Sequence, residues 1–534
     1  MKTIEFRSTA PRCPPTGRLV LLAALGAILV PCCALARADG LERQNHSLDR
    51  VGTQWSPYIE WSLDNPSFSG NAYELTATAT FVHVDSGEKR TTGMFYDGAS
   101  TWKFRFTGTR TGEWQFTTSS TDQDLDGKVG TVSIRPNPDP KAHGFLTNFG
   151  NKWGWTGTEE AFVPQLVMYS SPRHFYGKPE AIDADIETFI VQHGFNGMHV
   201  LVLCAWFDIE QDRYDDLAQD ANPDPRTFEA LELLITKVHA AGGMVHIWAW
   251  GDEQRHMTPN KWGKNGKVDK RLQRYLAARL GPLPGWSMGY GFDCDEWVKE
   301  GDLREWHCYL HQHLGWFHFL GARDPNPNTP SDPLTQIYEG LDYAGYEQHR
   351  PTYDDYVRVI EARPEKPAFS EDRFRVRSGS PYADKDYTPE QTRRGLWHST
   401  MAGGVANIWG YLLEPYWDTY VATGKSGPYP NPEWIKTNAE FFRRRFLKDM
   451  VRDNSLTDGI CLKSPERSHY LFYKEGASSI KVDLTAMNGA QAAVGVDAEA
   501  PYAEIAVGVL ESAQHTWTAP HQSDWAIAVG SFDR

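Results

Sequence analysis

Cysteine is scarce in this chain, with seven residues in 534. None sits at the close paired spacing of a metal knuckle or a redox motif, so a disulfide-stapled scaffold is excluded and buried thiols are expected. Basic charge is short as well: 54 Lys+Arg stand against 69 Asp+Glu, a net charge of −15. The first 38 residues carry five Lys/Arg and one Glu, so the chain beyond them is more acidic still. A protein of this balance repels phosphate backbones, and nucleic acid is not an expected partner. Long apolar runs are nearly missing. The one that stands out, "LVLLAALGAILV" at 19–30, is about half the roughly 20 residues a membrane span needs.

That run instead has the form of an export signal. Lys2, Arg7, Arg12 and Arg18 precede it, and "ALARAD" follows with Ala36 and Ala38 in the small-x-small arrangement of a cleavage site. Residues 1–38 are therefore expected to be removed, giving a secreted or periplasmic product with no membrane attachment. Cys204, Cys294, Cys308 and Cys461 would remain, as free thiols. What the chain has in quantity is aromatic side chains, 13% of residues with 20 Trp and 23 Tyr. Such rings suit both an ordinary core and the apolar faces of sugars.

Three patterns divide the chain. From 45 to 140 apolar residues alternate with polar ones: Tyr73, Leu75, Ala77, Ala79 and Phe81 in one run, Trp102, Phe104 and Phe106 in another. This is the period of half-buried antiparallel strands and predicts a β-sandwich. From 143 to 450 eight apolar segments, at 162–168, 195–203, 244–251, 286–293, 316–323, 341–348, 367–372 and 405–412, alternate with amphipathic helical stretches. Eight such units in about 300 residues predict a (β/α)8 TIM barrel. From 455 to 534 short strands return, predicting a smaller β-sandwich. The fold class expected is α/β, a TIM barrel flanked by two sandwiches.

In such a barrel chemistry gathers at the C-terminal ends of the strands. The fourth segment ends in "GFDCDEW", offering Asp293, Asp295 and Glu296, and the seventh ends in "FSED", offering Glu371. Strands four and seven face each other across the mouth, so their carboxylates can flank one substrate bond. Two facing carboxylates are the minimum for glycoside hydrolysis, and a spacing of about 5–5.5 Å implies retention of configuration.

These motifs resemble the glycoside hydrolases of the large (β/α)8 clan, in which the acid/base follows strand four and the nucleophile follows strand seven. The stretch "GMFYDGASTWKFRFTGTRTGEWQFTT" is similar to the DUF5060 domain, the barrel resembles the apiosidase-like DUF4038 group, and the tail resembles a collagen-binding-type sandwich. The resemblance implies Glu296 as acid/base and Glu371 as nucleophile. Asp295 stands where the clan often has Asn, and some apiosidase-like barrels use an Asp acid, so Asp293 or Asp295 is the alternative.

Around the pair, Trp206, Trp248, Trp250, Tyr290, Tyr346 and Trp409 lie at or near strand ends as candidate sugar platforms, with core packing as the alternative. Arg255, His256 and Arg373 are candidate substrate contacts, whereas His199 and His246, inside strands, are expected to be core histidines. No cofactor or metal is expected. His307 and His311 have zinc-type spacing but no evident third ligand. Asp122, Asp124, Asp126 and Gly127 open like a calcium loop but lack its closing Glu, so a polar hairpin turn is the better reading. The expected activity is hydrolysis of a complex polysaccharide or oligosaccharide by a secreted enzyme. The alternatives are a non-catalytic carbohydrate- or matrix-binding protein and a polysaccharide lyase. Oligomeric state is not legible.

Overall fold

The structure, a computed structural model, describes residues 48–211, 220–251, 253–323, 338–377, 386–412 and 429–532. The proposed export signal lies outside them, as do the side chains of Arg255, Asp295 and Arg373.

The N-terminal part is a sandwich of a five-stranded and a three-stranded sheet. Its core is aromatic, with Trp61 stacked on Phe104 at 5.2 Å and Phe81 on Phe106 at 4.2 Å. The strand Ala77–His83 alternates buried and half-buried along its whole length, as the sequence pattern predicts. Tyr73 is not part of it. Asn71 accepts a hydrogen bond from Tyr73 N and caps a one-turn helix, Ala72–Glu74, that interrupts the alternation. The acidic stretch 122–127 is a turn between the antiparallel strands Gly112–Ser120 and Val129–Arg135. Its carboxylates bind the turn's own backbone, Asp122 Oδ1 accepting from Asp124 N and Asp126 Oδ1 from Ser120 N.

The middle of the chain is an eight-stranded parallel barrel. Its strands are Gln165–Met168, Gly197–Leu201, Met244–Trp250, Trp286–Gly291, Leu320–Gly321, Ala344–Tyr346, Ala368–Arg377 and Val405–Leu412. Each falls within, or overlaps, one of the eight apolar segments. Neighbours pair in order around the ring except that strands five and six share no ladder among the described residues. At this seam Asp342 N donates to Leu320 O at 3.0 Å, and the Asp342 carboxylate accepts from Leu320 N at 2.9 Å. A small antiparallel sheet, Leu146–Phe149, Lys152–Trp155 and Ala161–Phe162, closes the barrel's N-terminal end. From it Trp153 reaches in, packing on Phe319, Tyr343 and Phe369 and donating to Ala368 O.

The tail is a six-stranded antiparallel sheet whose strands lie side by side in the order Val451–Arg452, Ile460–Lys463, Tyr470–Asp483, Gln514–Val529, Gln491–Asp497 and Ile505–Leu510. Its two long strands, Tyr470–Asp483 and Gln514–Val529, carry bulges that let the sheet fold back on itself. Both halves then contribute to one core, which includes Phe472, Ile480, Trp517 and Trp525. The outer face packs on barrel helices, where Trp397 stacks on Tyr473 at 4.9 Å. Cys204, Cys294 and Cys461 are buried and outside any disulfide, whereas Cys308, expected as a free thiol, is disulfide-bonded.

Candidate active site

Strand seven carries the site because it cannot stay regular. Its pairing with strand eight slips between Ser370 and Arg373, so that Glu371 and Asp372 sit on a bulge. A bulge re-aims side chains, and here two consecutive carboxylates take different surroundings. Glu371 is fully buried within the barrel. Its Oε2 accepts from Trp248 Nε1 at 2.6 Å and its Oε1 from Tyr343 OH at 2.5 Å, while His246 Nε2 lies 3.7 Å from Oε2. Glycines make the room. A Cβ at Gly289 would lie 2.6 Å from Glu371 Oε2, and one at Gly321 would lie 2.1 Å from the Tyr343 ring that reaches over to Oε1. The Tyr343 hydroxyl is held far above its ordinary pKa by burial and by the Glu371 charge, so it stays a donor.

Asp372 joins a chain of charges along the strand ends. Its Oδ2 meets His349 Nδ1 at 2.5 Å, and His349 Nε2 lies 3.7 Å from Glu347 Oε1, both from the end of strand six. Glu347 Oε2 binds Arg323 Nη2 from the end of strand five, and the same nitrogen holds Asp293 Oδ1, from strand four, at 2.6 Å. Asp293 has a left-handed backbone, φ 51°, which turns the chain out of strand four into the single helical turn Cys294–Trp297. Two carboxylates on one nitrogen lie within roughly 5.5 Å of each other, two charge-assisted hydrogen-bond lengths. The Asp293 side chain is 36% exposed and that of Glu347 20%, whereas Asp372 keeps 7%. Burial raises the Glu347 pKa against the opposing pull of Arg323, and the Asp372 charge adds to the rise. Arg323 is itself buried, a loss offset by Glu347, Asp293 and Asp372. It also stands 5.8 Å over the Trp248 ring.

Of the predicted site residues, Glu371 and Asp293 lie on this assembly. Glu296 is exposed on the helical turn after strand four, with Gln254 Nε2 3.5 Å from its Oε2. His256 is exposed in the loop after strand three, with φ 57°. The aromatic platforms need correction. Trp206, Trp250, Tyr290, Tyr346 and Trp409 are at most 2% exposed, so they pack the barrel instead of lining its mouth. Trp206 donates to Ala249 O, Trp409 to Gln165 Oε1, and Tyr290 stacks on Trp297 at 5.4 Å. Trp248 is buried too, and its part is to hold Glu371.

Arg323, Glu347, His349, Asp372 and Tyr343 complete the cluster and were not among the sequence candidates. Three of them follow the strand-end rule that located Glu371: Arg323 closes segment five in "GAR", Glu347 stands near the end of segment six in "GYEQ", and Asp372 closes segment seven in "FSED", with His349 one residue beyond segment six. Glu347, His349 and Asp372 each offer one ligand atom within 4.8 Å of the others, a set that suits a divalent cation. Arg323 already binds Glu347, and His349 already contacts Asp372. A cavity of about 650 Å³ opens elsewhere, lined by Asn71, Glu74, Trp262, Lys267 and Arg271, and it contains none of these carboxylates.

Residues 52–121 match the family described as Domain of unknown function (DUF5060). No curated protein matches the chain. Among solved structures it is similar to a candidate glycoside hydrolase from Bacteroides vulgatus ATCC 8482, with a TM-score of 0.71 and 17% identity over 90% of this chain and 99% of that one. It is also similar to a glycoside hydrolase family 5 protein from the same organism, with a TM-score of 0.52 and 14% identity over 74% of this chain and 96% of the other. At these identities the likeness is one of fold: a TIM barrel flanked by sandwich domains.

Proposed function

We propose that the protein is a secreted glycosidase that hydrolyses O-glycosidic bonds of a complex polysaccharide or oligosaccharide with two carboxylates and retention of configuration. The observation that carries this reading is the run of acids Asp293, Glu347 and Asp372, with Glu371 beneath them, at the C-terminal ends of barrel strands four, six and seven. Glu371 is the nucleophile in this scheme. Its two donors, Trp248 Nε1 and Tyr343 OH, fix the orientation of the carboxylate that attack at an anomeric carbon requires. The proton donor comes from strand four, Glu296 or an aspartate beside it. Asp293 contacts the cluster through Arg323. Because Glu371 is fully buried, a bound sugar reaches it only when side chains around it move. Arg255, His256 and Arg373 are the candidate contacts to the sugar, and the barrel is of the apiosidase-like DUF4038 kind with a collagen-binding-type tail.

A second assignment has its own support. Asp293 and Glu347 share Arg323 Nη2 and both reach solvent, so two carboxylates stand side by side at the mouth. Glu347, with its raised pKa, would then be the acid and Asp293 the nucleophile. Single substitutions separate the two. Glu371→Ala with azide should yield an inverted glycosyl azide if Glu371 is the nucleophile, and Asp293→Ala should do so if Asp293 is. If none of the Glu371, Asp293, Glu296 and Glu347 variants loses turnover while folded, the two-carboxylate mechanism is wrong.

A further inference from the structure

The helix Glu300–His313 carries His307 and His311 one turn apart, on one face. The fold brings a third group to them from the far side of the barrel wall. Asp342, just before strand six, sets its Oδ1 3.1 Å from His307 Nε2 and its Oδ2 2.8 Å from His311 Nε2. The three groups offer ligand atoms within 4.8 Å of one another. Ligands about 2.0–2.1 Å from a tetrahedral zinc ion stand roughly 3.3 Å apart, so the set has nearly the right span before any ion enters.

His307 distinguishes this cluster from a simple acid-bridged histidine pair. It is fully buried, and neither of its ring nitrogens has a hydrogen-bond partner. Its Nε2 is close to the carboxylate but not aligned to donate to it. A buried polar atom left so is costly, and a ligand atom facing a common centre would remove that cost. Asp342 is pinned for the task, since Leu320 N also donates to its Oδ2. His311 is 21% exposed, leaving an approach for a water as fourth ligand.

We propose that His307, His311 and Asp342 form a structural zinc site that clamps the open seam of the barrel. Strands five and six share no ladder among the described residues, and the backbone bond across the seam comes from Asp342 itself. An ion there ties the helix after strand four to both seam strands. Two imidazoles and one carboxylate suit zinc, whereas calcium and magnesium prefer all-oxygen shells. The cluster sits at the N-terminal ends of strands five and six, away from the carboxylates of the mouth, so it serves stability and not turnover.

The test uses the mature chain stripped with a chelator and titrated with Zn²⁺ alone, by calorimetry against a competing chelator. The wild type should bind one equivalent at this site and gain several degrees in thermal midpoint. His311→Gln, at the partly exposed ligand, should lose that equivalent and that gain, whereas His349→Gln at the mouth should keep both. Co²⁺ substitution should give the intense visible bands of a tetrahedral site in wild type and His349→Gln, absent in His311→Gln. Equal zinc binding by wild type and His311→Gln, binding lost only in His349→Gln, or no binding at all would overturn the proposal.

Discussion

Two hydrogen bonds decide what Glu371 can be. Tyr343→Phe removes one donor from a buried carboxylate while keeping the ring that packs against Trp153 and Phe369. Hydrogen bonds to charged groups are worth about 1.5–3 kcal/mol, so urea unfolding should show a loss of that size. A loss under about 0.5 kcal/mol would mean that the hydroxyl does not hold Glu371. Removing the proton donor acts differently from removing the nucleophile. Substitution of the true acid should slow natural glycosides by about 10²–10⁴-fold and largely spare the first step on activated aryl glycosides. Comparing Glu296→Ala, Asp293→Ala and Glu347→Ala on the two substrate types identifies it.

At the level of strands and helices, the bulge in strand seven is the device that separates Glu371 from Asp372. Eight apolar segments were enough to count the barrel strands, because a parallel sheet covered on both faces writes continuous apolar runs. The same runs hid which end-of-strand side chains turn inward. Alternation cannot register a bulge, and the aromatic residues near strand ends are as apolar as any core residue, so Trp250, Tyr290 and Trp409 looked like platforms. His199 and His246, inside strands, are fully buried, but His246 Nε2 also faces Glu371 at 3.7 Å, a placement the strand pattern did not show. Asp342 was invisible as a partner of His307 because 31 residues separate it from His311 and only the closed barrel joins them. Elements also carry pH dependence. Burial lowers the pKa of His318, before strand five, and of His239, at the end of the helix after strand two, to about 4. Burial raises that of Asp269 to about 6. Between about pH 4 and 6.5 the unfolded histidines bind protons that the folded ones refuse, so each makes stability rise with pH by about 1.4 kcal/mol per unit. Asp269 binds its proton more tightly folded and opposes one histidine between about pH 4 and 6. Chemical denaturation across this range should show stability falling as the solution is acidified, and Asp269→Asn should steepen the fall. A flat profile would rule these titrations out.

Over the whole molecule, the three parts are joined through charge as well as packing. Arg105 of the N-terminal sandwich and Arg279 of the barrel converge on Glu232, Arg105 Nη1 at 2.8 Å and Arg279 Nε at 2.5 Å from its Oε1. Glu232→Ala would leave two buried guanidinium groups facing each other. The expected cost is about 3–5 kcal/mol, read as a lower denaturation midpoint; a loss under about 1 kcal/mol would mean that water or Glu60, which also meets Arg105, takes over. The tail is similarly fixed, through Trp397 against Tyr473 and Arg393 on Asp524 at 2.7 Å. Truncation before residue 455 should therefore destabilise the barrel and not merely detach a binding module. All of this serves to hold a few carboxylates at one barrel mouth, and the direct question is whether they cut a glycosidic bond. The deciding measurement is the release of new reducing ends from a panel of plant and algal polysaccharides and their oligosaccharides, by wild type and by folded Glu371→Gln side by side. The expectation is release by the wild type from at least one substrate, reduced by about 10³-fold or more in the variant. Equal release by both proteins, no release from any member of the panel, or unsaturated products in place of reducing ends would contradict it.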